Sequence, residues 1–195
     1  LEQFTDDRKN LTQNLWEVRH KISKLYSVLS KYLDSFVPFN ASKGGISVSL
    51  TQDKTAEIRI GQNHYLFQNW PDFARYLAGG WFEEYTCAKL SPLLESGLIF
   101  DLRIGLEISC SEISQNTNSM CQSKYQSVDQ QTTYQELDIS FTDGRRLYVV
   151  ECKAGRVTSE HIMKLQNIVR FFGSIEGRAI LAACFDVNNS VVKNR

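Results

Sequence analysis

Tyr134-Gln135-Glu136-Leu137-Asp138-Ile139-Ser140-Phe141 and Leu147-Tyr148-Val149-Val150-Glu151-Cys152 are two apolar-rich runs separated by a turn that contains Asp143-Gly144, with Lys153 directly behind the second run. Asp-Gly between such runs is a strong hairpin signal, because glycine reaches the positive φ that a tight turn needs. The stretch therefore predicts two antiparallel strands, each bringing a carboxylate. Alternation along the second strand puts Glu151 and Lys153 on one face and Cys152 on the other. Asp138, near the middle of the first strand, can meet them across the hairpin.

Working outward, Gly79-Gly80 breaks the chain and Trp81–Leu94 reads as a helix. Gly97 restarts the chain as a strand over Leu98–Ser109, with Ile99, Leu102, Ile104, Leu106 and Ile108 apolar. Residues 110–133, rich in Ser, Gln, Asn and Thr, read as a long polar loop. Behind the hairpin, Thr158 can cap a helix carrying Ile162, Leu165, Val169 and Phe172 that stops at Gly173. Arg178–Cys184 is a last apolar strand. The order is helix, three strands, helix, strand, a mixed α/β (α+β) architecture. Upstream, residues 8–35 read as one helix. Its seam of Leu11, Leu15, Val18, Ile22, Leu25, Leu29 and Tyr32 steps by four and three. Three short strands, Ile46–Leu50, Ala56–Ile60 and His64–Phe67, form a small meander behind it, so that the first part has a winged-helix-like outline or that of a passive spacer.

Two carboxylates and an ammonium at one point on a sheet suit phosphodiester hydrolysis. Carboxylates hold Mg²⁺ or Mn²⁺, which prefer oxygen ligands in octahedral geometry. The bound ion lowers the pKa of a water and neutralises phosphate charge. A lysine beside that water orients it or stabilises developing charge. Partial burial behind an apolar strand is expected to lower the pKa of Lys153. The competing explanation for Glu151 and Lys153 is an ordinary surface ion pair at a strand end.

Glu-Leu-Asp, a hairpin, then Glu-Cys-Lys resembles the signature of the PD-(D/E)XK nucleases, with Asp138 as first acid, Glu151 as second and Lys153 as the lysine; the element order resembles that family's restriction-endonuclease-like core. With Gly79-Gly80-Trp81-Phe82-Glu83-Glu84-Tyr85 upstream and Gly177-Arg178-Ala179 downstream, the chain resembles the C-terminal nuclease domain of CRISPR ancillary nucleases that carry an N-terminal CARF sensor. The resemblance covers about residues 70–185. It implies a homodimeric, metal-dependent endonuclease for DNA or RNA, switched on by cyclic oligoadenylate. The ligand set it implies includes the backbone carbonyl of Cys152 beside Asp138 and Glu151. It also implies that residues 70–195 are the nuclease domain and 1–69 a connector, with the sensor half outside this chain, which opens on Leu1. Non-catalytic nucleic-acid binding or dimerisation on the same scaffold is the rival reading, as is a restriction or repair nuclease.

A third acid is expected from the helix. Glu83 shares a stripe with Cys87, Leu90 and Leu94 that should face the sheet, whereas Glu84 shares a side with Ala88 and Glu95. Glu83 is thus favoured as a metal ligand, with Glu84 as the alternative. Glu136 shares a face with Asp138 and reads as a solvated charge or a further ligand. On the second helix, Gln166 and Lys164 can reach a scissile phosphate or remain solvated. Trp16, Trp70 and Trp81 read as core or interface, and the three histidines form no spaced ligand set.

Composition narrows the field. Of 195 residues 42% are hydrophobic, enough for a real core. With 22 Lys+Arg against 22 Asp+Glu the net charge is zero, so contact with nucleic acid needs a local patch. Residues 153–195 offer one, with seven Lys/Arg against three Asp/Glu. Five cysteines at 87, 110, 121, 152 and 184 contain no CxxC, which reads as a reducing, cytoplasmic setting. No apolar run approaches the roughly 20 residues of a membrane span. The absence of GxxxxGK[ST], GxGxxG and GxSxG removes nucleotide-hydrolase, dinucleotide and serine-hydrolase readings. The seam of the first helix serves either its own domain or a two-fold partner; the connector role favours a shared helix and a dimer.

Overall fold

The computed structural model describes residues 5–29, 37–109, 133–173 and 176–187. The long polar stretch lies outside them except for Thr133, as do Cys110, Cys121 and Tyr32. The chain is a mixed α/β protein with two four-stranded sheets. Its first part is helix α1 (Asp6–Glu17), helix α2 (Arg19–Leu29) and a meander of β1 (Phe39–Lys43), β2 (Ile46–Leu50), β3 (Ala56–Ile60) and β4 (Asn63–Phe67), all antiparallel. After α3 (Trp70–Arg75) and a π-turn over Tyr76–Gly80 come α4 (Trp81–Glu95), β5 (Phe100–Ser109), β6 (Thr133–Thr142), β7 (Leu147–Lys153), α5 (Ser159–Gly173) and β8 (Arg178–Ala183). The second sheet runs β5-β6-β7-β8. Its first three strands are antiparallel, and β8 joins β7 in parallel after the α5 crossover.

Local chemistry explains most boundaries. Thr5 caps α1 by accepting from the Arg8 N–H, and Asn69 caps α3 by accepting from Asp72. At the end of α4 the Gly97 N–H reaches Leu94 O (3.0 Å) and the Leu98 N–H reaches Leu93 O (2.9 Å). That paired closure needs the left-handed φ of +70° that Gly97 supplies. In the β6–β7 turn the Asp143 carboxylate accepts from the N–H groups of Arg145 (2.9 Å) and Arg146 (2.7 Å) and from the Tyr148 hydroxyl (2.9 Å). Those bonds pull its pKa down to about 2. At the start of α5 the Thr158 N–H donates back to His161 Nδ1 (3.1 Å), so His161 acts as a cap partner.

Two expectations for the first part need correction. The helix expected over 8–35 is broken at Val18, whose φ of −100° and ψ of 12° leave the helical region. The Val18 carbonyl then accepts from both Lys21 (2.7 Å) and Ile22 (3.1 Å) and starts α2. The meander has a fourth strand, β1, which pairs along β2 from Phe39↔Leu50 to Lys43↔Ile46. Only Ala41 of β1 is buried, so the segment shows too little apolar alternation to read as a strand.

The described part of the seam is filled from within the chain. Leu11, Leu15, Ile22 and Leu25 are at most 1% exposed and belong to a core that also takes in Val48, Ile58, Trp70, Phe73, Trp81, Ile139, Val150 and Cys184. From Leu11 to Leu25 the seam is thus intramolecular core, not the shared two-fold contact the connector role suggested. A smaller core of Leu137, Val149, Leu165, Ile168 and Val169 lies under α5. Trp70 and Trp81 are buried, and Trp16 stacks on Tyr85 with ring centres 4.3 Å apart, so all three tryptophans pack within the chain. Cys87, Cys152 and Cys184 are buried free thiols. Gly177, where the chain enters β8, is pressed onto α5: a Cβ there would lie 2.7 Å from Val169 Cγ1 and 2.8 Å from Gly173 Cα. Among the described residues no helix is long and apolar enough to cross a membrane.

Leu15→Asp places a charge in this core and is expected to destabilise the fold by about 3–5 kcal/mol. Gly177→Ala should cost about 1–3 kcal/mol through overpacking. Urea denaturation of both variants checks this. A stably folded Leu15→Asp chain would show that the seam is not core.

Candidate active site

The site forms where the β6–β7 ladder stops. Pairing runs from Thr142↔Leu147 to Ile139↔Val150 and ends there. The next inward N–H, that of Cys152, donates to Asp138 Oδ2 at 2.7 Å. The side-chain alternation of β6 breaks at the same point. Leu137 and Ile139 stand two apart, yet Leu137 belongs to the α5-side core and Ile139 to the larger one. Across from Asp138, between the pairs Ile104↔Ile139 and Leu106↔Leu137, lies Gly105 with φ of +61°. Such a residue lets β5 follow the bend that other side chains would resist.

Beyond the parting, Glu151 is 4% exposed and its carboxylate meets Lys153 Nζ at 2.5 Å. Both stand on the face opposite Cys152, which enters the larger core. On the other side of β7 the parallel register continues through Glu151↔Leu181 and Lys153↔Ala183, and the Lys153 carbonyl accepts from Cys184 N–H (2.9 Å). The α4 helix brings Glu83 near enough to this group to respond to the charges of Asp138, Lys153 and Glu151, with its Oε1 3.9 Å from where a Cβ on Gly79 would sit. Glu136 is exposed on β6, its Oε1 4.0 Å from the corresponding point on Gly105.

Burial first, and neighbouring negative charge second, raises the proton affinity of Glu83 and Asp138. Burial and then the charges of Asp138 and Glu136 push Glu83 up to about 7. Burial also raises Asp138, against the lowering effect of the Cys152 N–H. Burial alone would depress Lys153, as the sequence suggested. The Glu151 hydrogen bond and the charges of Glu151, Asp138 and Glu83 outweigh it and hold the ammonium above its ordinary value. That expectation is therefore reversed: the acids around it decide the sign. Burial raises the Cys152 thiol as well, so at neutral pH it is no thiolate ligand.

Glu84 has a different environment. Arg8 Nε donates to both of its carboxylate oxygens (3.0 and 3.0 Å), Arg8 Nη2 to Oε1 (2.7 Å) and Thr12 Oγ1 to Oε2 (3.2 Å). Arg8 was invisible to sequence reasoning, because its partner lies 76 residues away and no local pattern marks it. On α5, Gln166 is half-buried and Lys164 exposed.

The fold is similar to that of Can2. The match to Can2 from Sulfobacillus thermosulfidooxidans, solved in complex with cyclic tetra-adenylate, has a TM-score of 0.62 at 17% identity and covers 98% of this chain and 50% of that one. Protein VC1899 from Vibrio cholerae gives a TM-score of 0.49 at 12% identity, over 96% of this chain and 44% of that one. The chain spans about half the length of these structures. No family model matches it, and no curated protein does. At these identities the likeness is one of fold.

In donor chemistry the site fits a hard divalent cation. It offers carboxylate oxygens and a backbone carbonyl, and Glu83 and Asp138 are buried among like charges, where a cation would offset both effects. Among the described residues no three His, Cys, Asp or Glu side chains form a ready cage. Lys153 holds Glu151 and the Cys152 N–H holds Asp138, so their own chain already engages both acids. Mg²⁺ needs no such cage, since one or two carboxylates and several waters suffice.

The raised Glu83 value has a consequence for stability. Between 4.5 and about 7 the folded chain keeps a proton that the unfolded chain has released, so stability falls as pH rises through that window. Glu83→Gln removes this loss. Without divalent ions it is expected to stabilise the chain at about pH 8 by about 1–2 kcal/mol, after allowing for solvent screening. At about pH 4 the gain should vanish. Chemical denaturation at the two pH values reads the difference; an equal effect at both would mean that neither burial nor the neighbouring acids raise the Glu83 carboxyl.

Proposed function

We propose that the chain hydrolyses phosphodiester bonds of DNA or RNA as a Mg²⁺- or Mn²⁺-dependent endonuclease of the PD-(D/E)XK type. The observation that carries this is that Asp138, anchored on the Cys152 N–H, and the Glu151–Lys153 pair stand where β6 and β7 part, with Glu83 near enough to respond to the charges of all three. When bound, the ion would supply a water of lowered pKa and neutralise phosphate charge. Asp138 and Glu151 would hold it, with Glu83 as third acid and the Cys152 carbonyl as a further oxygen. Lys153 keeps its proton among these acids. It therefore acts as a fixed positive charge towards the attacking water and the phosphate oxygens, not as a base. Lys164, exposed on α5, and Gln166 are placed in this reading as contacts for the substrate backbone.

The reading extends to regulation and assembly. Can2 was solved with cyclic tetra-adenylate, which supports a role for this chain as the effector part of a cyclic-oligoadenylate-activated, CRISPR-linked defence nuclease. Residues 70–195 are then the nuclease part and 1–69 the connector to a sensor. A homodimer forms through a surface other than the buried seam.

Single-stranded and duplex DNA and RNA, offered with Mn²⁺ or Mg²⁺ and with or without cyclic tetra-adenylate, test the proposal. Cleavage should need the metal and stop with a chelator. Lys153→Ala should lower turnover on the order of 10²–10³-fold while Mn²⁺ still binds, whereas Asp138→Asn should weaken both. Undiminished cleavage in excess chelator would overturn the mechanism, and a near-normal Lys153→Ala rate would reduce Lys153 to a surface charge.

A further inference from the structure

The first turn of α4 is gripped by α1 at every position around Glu83. Trp16 stacks on Tyr85 (4.3 Å between ring centres) and on Phe82 (6.1 Å). Arg8 takes both oxygens of Glu84. The guanidinium lies 3.7 Å from the centre of the Tyr76 ring and 5.2 Å from that of Phe67. Thr12, buried, links the two ends of the arrangement: its hydroxyl is 2.8 Å from the Tyr76 hydroxyl and donates to Glu84 Oε2 at 3.2 Å. Tyr76 opens the π-turn that precedes α4, and Gly79 within it leaves helical geometry with φ of 178°. The backbone at the head of α4 is thus interrupted, and a tertiary contact must fix the helix about its own axis.

Neighbouring residues on a helix point about 100° apart, so fixing Glu84 fixes the bearing of Glu83. With side-chain ends about 6 Å from the axis, a 20° rotation of α4 would carry the Glu83 carboxylate about 2 Å. That is about one whole metal–oxygen bond length.

We propose that Arg8 and Glu84 are positioning residues: their ion pair, seated on Tyr76 and Thr12, sets the rotation of α4 that delivers Glu83 to Asp138 and Glu151. The inference rests on the metal-site reading above. Neither Arg8 nor Glu84 touches the ion or the substrate. They act through Glu83, and they make the place of α1 a determinant of metal affinity.

A double-mutant cycle tests this by Mn²⁺ affinity from electron paramagnetic resonance, with cleavage rates and melting curves alongside. Glu84→Gln and Arg8→Lys should each weaken Mn²⁺ binding about tenfold, as loss of an outer partner of a metal ligand does, in chains that stay folded at the assay temperature. On a Glu83→Gln background the same changes should move the affinity by less than about twofold. Should Glu84→Gln unfold, the pair Arg8→Met with Glu84→Met, which leaves no unpaired charge, reads the same cycle. An equal penalty with and without Glu83 overturns the positioning role, as does unchanged affinity in the single variants. Wild-type chain that binds Mn²⁺ but cleaves no nucleic acid sinks the nuclease reading while the cycle still decides this one. Wild-type chain that binds no Mn²⁺ overturns both.

Discussion

The hydrogen bond from the Cys152 N–H to Asp138 is the constraint on which the site depends. A strand that leaves its partner exposes backbone donors, and a buried donor must find an acceptor. At the end of the β6–β7 ladder that acceptor is a carboxylate. The bond fixes Asp138 where pairing ends, keeps the two strands from rejoining and leaves Glu151 and Lys153 on the open side. The parallel ladder to β8 continues past the parting and holds β7 in place. One edge of β7 thus leaves its partner at the candidate site while the other remains ordinary sheet.

The second sheet was legible in the sequence because its signals are local. Asp143-Gly144, Gly97 and Gly173 each act within a few residues, and the strands between them carry apolar runs. The structure moves those boundaries by two residues or fewer. The first part was less legible. The break at Val18 has no glycine or proline to announce it, and Leu15 and Ile22 on either side of it enter the same core just as the seven-residue spacing of one unbroken helix would place them, so the pattern of apolar residues does not reveal it. Of the candidate site, the acids and the lysine could be read from strand alternation. The charge behaviour of Lys153 could not, because it is a balance of burial against three carboxylates whose distances only the fold sets. Arg8 likewise lies outside what periodicity can reveal.

The larger core draws no line between the first sheet with its helices and the second sheet. Leu11 and Leu15 of α1, the inward faces of β2 and β3, Trp70, Phe73 and Trp81 all belong to it together with Ile139 and Cys152. The helix that presents Glu83 therefore has the first part of the chain as its packing floor, and residues far from the acids in sequence share their mechanical fate.

The hairpin between β6 and β7 bears on the order in which such a site is assembled. Its turn spans only Asp143–Arg146, so closing it carries little of the loop entropy that long-range pairings incur. Hairpins form in microseconds, while parallel pairing such as β7 with β8 must wait for a crossover helix. The Asp138–Cys152 contact sits inside that early unit. Asp138, Glu151 and Lys153 thus come from one short-range unit, whereas Glu83 reaches them only through the packing of a helix more than fifty residues earlier in the chain.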